Sequence, residues 1–208
     1  MESEPTRGGT RWKRFGVVMV PSIAATAAIG VALAQGALAA SFSVSGQEFK
    51  VSASHLHGTG FLQYGAVDAQ GNGGVPVAVS AFKTATINDL CQSVVIPDVP
   101  FVGKVSMVLK AGGGSAPVEA KDLYIDLNQL NADATFTNIN IGIAAGDANP
   151  NGAVMKGKPE MADPGSFAQE ADAADLTNVQ QTAWATSAGT FQLSGLSMHV
   201  SAGDHECY

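Results

Sequence analysis

The stretch Val118–Gly146, VEAKDLYIDLNQLNADATFTNINIGIAAG, decides the fold class of this chain. Apolar and polar residues alternate through Leu123, Ile125 and Leu127, and the alternation returns over residues 139–143. A period of two is typical of a strand that buries one of its faces. The stretch therefore predicts architecture rather than a reaction.

A four-residue motif in this stretch recurs along the chain. It consists of an apolar residue, two residues of which the second is usually Asn, Asp or Gly, and another apolar residue. Its six copies are Ala53–Leu56, Ile87–Leu90, Ala120–Leu123, Phe136–Ile139, Leu176–Val179 and Leu193–Leu196. Because an apolar spacing of three breaks the alternation, each copy predicts either a β-bulge, which returns both apolar residues to the core, or a corner of a β-solenoid. Recurrence by chance in a strand-rich chain is the third interpretation.

We predict a single all-β domain of bulged antiparallel strands, folded as a sandwich or a curved sheet, with a short β-solenoid as the alternative. The 208 residues, of which 46% are apolar and 14% charged, are enough to bury one core of ordinary size.

Three local patterns predict the elements that follow the opening stretch. Residues 147–165 are rich in Pro and Gly without periodicity, which predicts an exposed loop. Ser166 and Gln169 have the spacing of a capping box, which predicts a short helix over residues 167–174. Residues 182–200 predict a hairpin that turns at residues 187–189.

The N-terminus predicts export. Residues 1–14 contain four basic side chains and form a basic cytoplasmic head, and residues 15–39 form a hydrophobic helix. This helix is either a signal peptide, cleaved after the small-x-small pattern at 37–39, or a transmembrane anchor, because its uncharged run is long enough to span a bilayer. In both cases residues 40–208 form an extracytoplasmic domain, secreted or anchored to the cell membrane.

The charge of the predicted exported part limits its partners. After residue 40 the chain has seven lysines, no arginine and sixteen acidic residues. Such a domain lacks the electrostatic attraction that supplies most non-specific binding to phosphate backbones, so we predict no nucleic-acid partner. An acidic surface suits solubility outside the cell and can attract divalent cations.

The two cysteines, Cys91 and Cys207, both follow the export segment. Disulfides persist outside the cytoplasm, and the sequence therefore predicts a Cys91–Cys207 bridge that ties the C-terminus to the middle of the domain. The alternative is a metal-binding or catalytic thiol, because His205 lies two residues from Cys207.

Two patterns suggest metal sites. Asp147, Asn149 and Asn151 match the start of a D-x-N-x-N-G calcium loop, although turn chemistry alone favours the same residues. We retain calcium as a candidate ligand there and predict no other cofactor. His55 and His57 would share one face of a strand, either as two metal ligands or as a solvated face.

No residue is assigned as catalytic. Ser115 follows three glycines but lacks the trailing Gly of a nucleophile elbow. The members of a Ser-His-Asp triad can lie far apart in sequence, so the sequence neither identifies nor excludes such a triad. The recurring motif makes Asp122, Asp126 and Asp133 bulge and solvent-facing residues rather than catalytic carboxylates.

Segments along the whole chain resemble a family of exported actinobacterial proteins of unknown function, common in streptomycetes. They are the N-terminal run RWKRFGVVMVPSIAATAAIGVALAQGALAASF, LCQSVV around Cys91, the opening stretch, PGSFAQEAD, QTAWATSAGTFQLSGL and the terminal ECY. The resemblance implies the label cholesterol esterase, which members of that family often carry. It also implies a small polytopic membrane protein as a neighbour or partner.

Two functions from different classes follow. The first is a non-catalytic cell-envelope protein, attached to the membrane through its N-terminal helix if that helix is not cleaved, whose β domain binds a lipid, a protein partner or itself. The second is an ester hydrolase that acts on a lipid or sterol ester, and it rests on the family label alone.

Overall fold

The computed structural model describes residues 47–70, 73–149, 151–156 and 162–208. The predicted cytoplasmic head and hydrophobic helix, residues 1–39, lie outside these ranges. Within them, no helix has both the length and the apolar character needed to cross a bilayer. The assignments made for the N-terminus therefore stay predictions.

The described residues form nine strands and one short 3-10 helix, Ala145–Asp147. The strands are β1 (Phe49–Gln70), β2 (Gly73–Asn88), β3 (Leu90–Val99), β4 (Gly103–Ala111), β5 (Val118–Thr137), β6 (Asn140–Ala144), β7 (Phe167–Ser187), β8 (Thr190–Gln192) and β9 (Ser197–Ala202). They belong to one sheet, and every pairing is antiparallel. The all-β antiparallel prediction is confirmed. The solenoid alternative is wrong, because stacked coils pair their strands in parallel.

Four long strands close into a ring. β1 pairs with β2, β2 with β5, β5 with β7, and β7 pairs again with β1. β1, β5 and β7 are 22, 20 and 21 residues long, so each can bend and reach a different partner along its length. The main core lies inside the ring and includes the fully buried Val118 and Leu123.

Three strands, β3, β4 and β9, extend the ring on one side and are called the wing below. β3 pairs with Lys50–Ser52 of β1, β4 pairs with β3, and β9 forms the outer edge. The C-terminal tail, residues 203–208, lies on one face of the wing, where the backbone N–H of Cys207 donates to Ser93 Oγ at 3.0 Å. Cys91 and Cys207 form a disulfide with Cα atoms 5.8 Å apart, which confirms the predicted bridge.

A connecting segment, residues 145–149 and 151–156, covers the outer face of β1 and β2. Ala145 and Ala153 are buried in a second core with Leu62 and Val79. The backbone N–H of Ala153 donates to the carbonyl of Gly60 at 2.8 Å. The expectation of an exposed loop over residues 147–165 holds for most of its described residues, among which Ala153 alone is buried.

The recurring motif is built on a left-handed residue. Its third residue has a positive φ in five of the six copies: Asp89, Asp122, Asn138, Asn178 and Gly195. Asn, Asp and Gly tolerate this conformation best, which explains the composition of the motif. In the copy Leu176–Val179, as in Ile87–Leu90 and Ala120–Leu123, both apolar ends are buried. The bulge interpretation is confirmed for one of these three copies. In Leu176–Val179 the register of β7 with β5 shifts, so that residues 178 and 179 lie opposite Ala132. The register of β2 with β5 is continuous across Asp122, and Asp89 separates β2 from β3, so the bulge interpretation is wrong for the other two copies.

Substitution of Asn178 measures the cost of that conformation. Asn178 has a φ of 54° and donates from Nδ2 to Asp133 Oδ2 at 2.8 Å. Asn178→Gly and Asn178→Ala both remove this hydrogen bond, but only alanine has a Cβ, so we expect the alanine variant to be less stable by about 1–2 kcal/mol. Urea unfolding of the two variants gives the difference. Equal stabilities would show that the left-handed conformation is not what selects this residue.

Two local predictions are wrong. Residues 167–174 begin strand β7 rather than a helix, because β7 has strand partners on both sides, and those pairings outweigh the capping-box signal of Ser166. The chain also makes no hairpin at residues 187–189. β8 continues along β5 in the direction of β7, since Ser187 pairs with Tyr124 and Thr190 with Lys121.

Candidate functional site

An apolar cavity of about 150 Å³ lies inside the ring. All four ring strands contribute to its wall, and its larger side chains are Leu56, Phe61, Phe82, Ile125, Leu127, Leu130, Phe136 and Leu176. A site of roughly this volume, lined mainly by Leu, Ile and Phe, takes a molecule as large as benzene. The wall contains no ionisable side chain among the described residues.

Three phenylalanines form one wall of the cavity. The Phe61 ring lies between Phe82, at a centroid distance of 5.3 Å, and Phe136, at 5.1 Å, with the ring planes tilted by 44° and 41°. Phe82 packs against Gly58, where a methyl group would overlap the ring. Such tilted pairs are favourable aromatic contacts and hold the wall in a defined shape.

The wall of the cavity also contains three uncharged polar residues, Gln63, Ser80 and Gln181. Gln63 Nε2 donates to Ser80 Oγ at 2.8 Å, and Gln169 Nε2 donates to Gln63 Oε1, so that three strands are joined by one network. Gln181, which is 5% exposed, pairs with Val51 and is thus well separated from Gln63 along β1. A bound molecule would meet apolar side chains along most of its surface and a few neutral hydrogen-bonding groups.

The cavity reaches the surface beside the second half of β5. The pairing of β5 with β2 ends at Leu127, and from there β5 is paired with β7 alone. Leu130 and Ala134 line the cavity and are exposed to solvent. Phe136, which also lines the cavity, is half-buried. The unpaired edge of β5 therefore supplies a side entrance to the ring.

The predicted calcium residues separate in the structure. Asn149 and Asn151 line a polar cleft of about 370 Å³ with Glu170 and Asp172, whereas Asp147 is not part of the lining. Asn149 Oδ1 accepts from the backbone N–H of Asn151 at 3.0 Å, which is the geometry of an Asx turn. Among the described residues no group of three His, Cys, Asp or Glu side chains could hold a metal ion. Calcium binding stays a prediction.

His55 and His57 share one face of β1 and meet Asp175 of β7. His57 Nδ1 lies 2.8 Å and His55 Nε2 3.3 Å from the same oxygen, Asp175 Oδ1. The hydrogen bond from His57 is the main cause that lowers the pKa of the Asp175 carboxyl. All three side chains are 41–46% exposed, so this cluster lies on the solvated outer face of the ring.

The three aspartates of the opening stretch take different positions. Asp122 has a left-handed backbone conformation and is paired with Lys83 at 2.7 Å, and Asp133 is exposed, as predicted. Asp126 is only 3% exposed, and Lys156 Nζ lies 3.7 Å from its Oδ2, so its assignment to the solvent face is wrong. The cause is the covering segment, which brings Lys156 over a face of β5 that would otherwise meet water.

The arrangement that ester hydrolysis by a serine nucleophile uses does not occur in residues 47–70, 73–149, 151–156 and 162–208. In these ranges no serine hydroxyl hydrogen-bonds to a histidine ring, and the histidine contacts with an acidic partner are those of His55 and His57 with Asp175. Ser115 is exposed in the turn between β4 and β5.

The cavity is what sequence reasoning missed. Its wall residues stand at ordinary core positions of alternating strands, so the pattern identifies them as buried without indicating a void between them. The only available signal was small side chains, Ala132 and Ala134, at inward positions of β5.

Comparison with known proteins gives a family but no activity. The model of a family of unknown function (DUF6230) matches residues 45–208, which include all nine strands and both cysteines. No curated protein and no solved structure matches the chain.

Proposed function

The chain belongs to a family of unknown function, DUF6230, and we propose that it is a cell-envelope protein whose extracytoplasmic β domain binds an apolar ligand, such as the end of a lipid acyl chain. The cavity inside the ring carries this proposal. Its wall is apolar over most of its area and contains a few neutral polar groups, which is the usual composition of a site for small apolar molecules.

The volume limits what the cavity can hold. About 150 Å³ corresponds to roughly six carbon atoms, by comparison with a benzene-sized cavity. A whole phospholipid does not fit, but the last carbons of an acyl chain do. The rest of such a ligand would leave through the side entrance at Leu130 and Ala134.

The envelope location is part of the proposal. It is supported by the basic head at 1–14, the hydrophobic run at 15–39 and the disulfide, a bond that persists outside the cytoplasm. No arrangement among the described residues supports hydrolysis of a lipid or sterol ester. The binding experiment also detects hydrolysis if it occurs.

Methyl dodecanoate distinguishes binding from hydrolysis in one experiment. With residues 40–208, the form that cleavage of a signal peptide would release, we expect a hundredfold excess of the ester over its Kd to stabilise the fold by about 2.7 kcal/mol. The Tm should then rise by roughly 5–10 °C. The ester should be recovered unchanged, as measured by mass spectrometry.

A matched pair of variants tests the location of the ligand. Ala132→Phe places a ring in the cavity, whereas Thr135→Phe places the same ring on the opposite, exposed face of β5. The first variant should lose the rise in Tm and the second should keep it. The same rise in both variants would remove the cavity as the site, and release of dodecanoate by the parent chain would favour the hydrolase.

A further inference from the structure

The two faces of the wing differ in composition. The tail covers one of them, where Ser93 and Ser106 are buried and Lys104 pairs with Asp204 at 2.7 Å. The register places apolar side chains on the other face, because Met107 pairs with Val200 and Leu109 with Met198. Met198 and Val200 are 62% and 57% exposed. The open face of the wing is thus an uncharged apolar surface on an edge of the sheet.

The turn at the end of the wing continues this surface. The N–H of Val102 donates to the carbonyl of Val99 at 3.1 Å, which closes a turn with Pro100 and Phe101 at its centre. Phe101 has a φ of 68°, in the position where such a turn favours Gly or Asn. Its side chain is fully exposed. A bulky apolar residue is thus held in a conformation that disfavours it, and its ring gains no burial that would compensate.

The direction of the strands relates this turn to the N-terminus. Lys50 pairs with Ser93, and β3 runs opposite to β1, so residues 94–102 extend past the start of β1 toward the side from which the chain enters. The predicted hydrophobic helix ends at residue 39. Residues 40–48 can span at most about 30 Å. A retained helix would therefore hold the end of the wing close to the membrane surface.

We propose that the open face of the wing and its turn contact the lipid bilayer, with Phe101 and Val102 inserted at the level of the headgroups. Aromatic and aliphatic side chains at this depth gain apolar contacts while the backbone of the turn stays hydrated. The contact rests on the proposed envelope location, but it does not depend on a ligand in the cavity.

Fluorescence of a tryptophan at the turn tests the contact. The full chain is reconstituted in two kinds of phosphatidylcholine vesicle, with and without bromine near the start of the acyl chains. The variant Phe101→Trp is compared with the parent chain. The parent contains Trp12 and Trp184, and its fluorescence is the background to be subtracted. We expect the added emission to fall at least roughly twofold in the brominated vesicles, because interfacial side chains lie about 5–10 Å into the headgroup boundary.

Phe167→Trp is the matched control. Phe167 is 65% exposed and is the first residue of β7. Its neighbour Ala168 pairs with Tyr64, near the end of β1, so Phe167 lies far from the start of β1 and from the wing. Its emission should not change with bromine. Unquenched emission from position 101, or equal quenching at 101 and 167, would overturn the proposal. So would a blue shift at 101 that grows with protein concentration in detergent, because a second copy of the chain would then cover the wing.

Discussion

Loss of the disulfide should lower the free energy of unfolding by about 4–5 kcal/mol, because Cys91 and Cys207 close a loop with a sequence separation of 116. The bridge also holds the tail on the wing. The backbone N–H groups of His205 and Cys207 donate to Ser106 and Ser93, and Lys50 pairs with Glu206 at 2.6 Å. Each of these contacts depends on a tail that the bridge keeps in place.

The measurement is urea unfolding of the parent chain, of the parent after reduction, and of the double variant Cys91→Ser/Cys207→Ser. Reduction and substitution should give the same loss, and hydrogen exchange should accelerate at the Gly203 amide, which donates to the carbonyl of Lys104 at 2.8 Å. A loss below about 1 kcal/mol would show that the strand pairings hold the tail without the bridge.

Leu123→Ala should destabilise the domain by about 2–5 kcal/mol, because it removes a completely buried side chain from the main core inside the ring. Leu123 is the last residue of the motif copy Ala120–Leu123, directly after the left-handed Asp122. The left-handed conformation of Asp122 is what directs Leu123 inward on the same face as Ala120. The loss therefore measures how much one motif copy contributes by placing its second apolar residue.

Leu196→Ala is the matched control for this substitution. Leu196 ends the copy Leu193–Leu196 and follows a left-handed Gly195, but its side chain is 53% exposed. Surface substitutions usually change stability by less than about 0.5 kcal/mol. Thermal or urea unfolding of both variants gives the comparison. Similar losses for the two leucines would mean that the motif, rather than burial, determines the contribution of each copy.

Much of the fold could be predicted because its signals are local. Alternation in Leu123, Ile125 and Leu127 requires only that one face of a strand be buried. Asp and Asn at the third motif position reflect a backbone conformation within one residue. The disulfide followed from two cysteines in a chain with a predicted export segment. None of these inferences required knowledge of which strands are neighbours.

The candidate site could not be predicted in the same way. The cavity is lined by small residues such as Ala132 together with large ones such as Phe61, and these residues come from strands far apart in the chain. The expectation that Asp126 meets solvent is wrong because Lys156, from a segment without periodicity, lies over that face of β5.

The sequence by itself determined the all-β class, the left-handed residues such as Asp122 and Asn178, and the bridge between Cys91 and Cys207, because each depends on residue type and near neighbours. Only the tertiary structure decided the partners of each strand. The closed ring, the strand in place of a helix after Ser166, the cavity and the open face of the wing all follow from pairings between residues far apart in the chain. Such pairings are selected by the joint packing of the whole sheet, which no single stretch encodes.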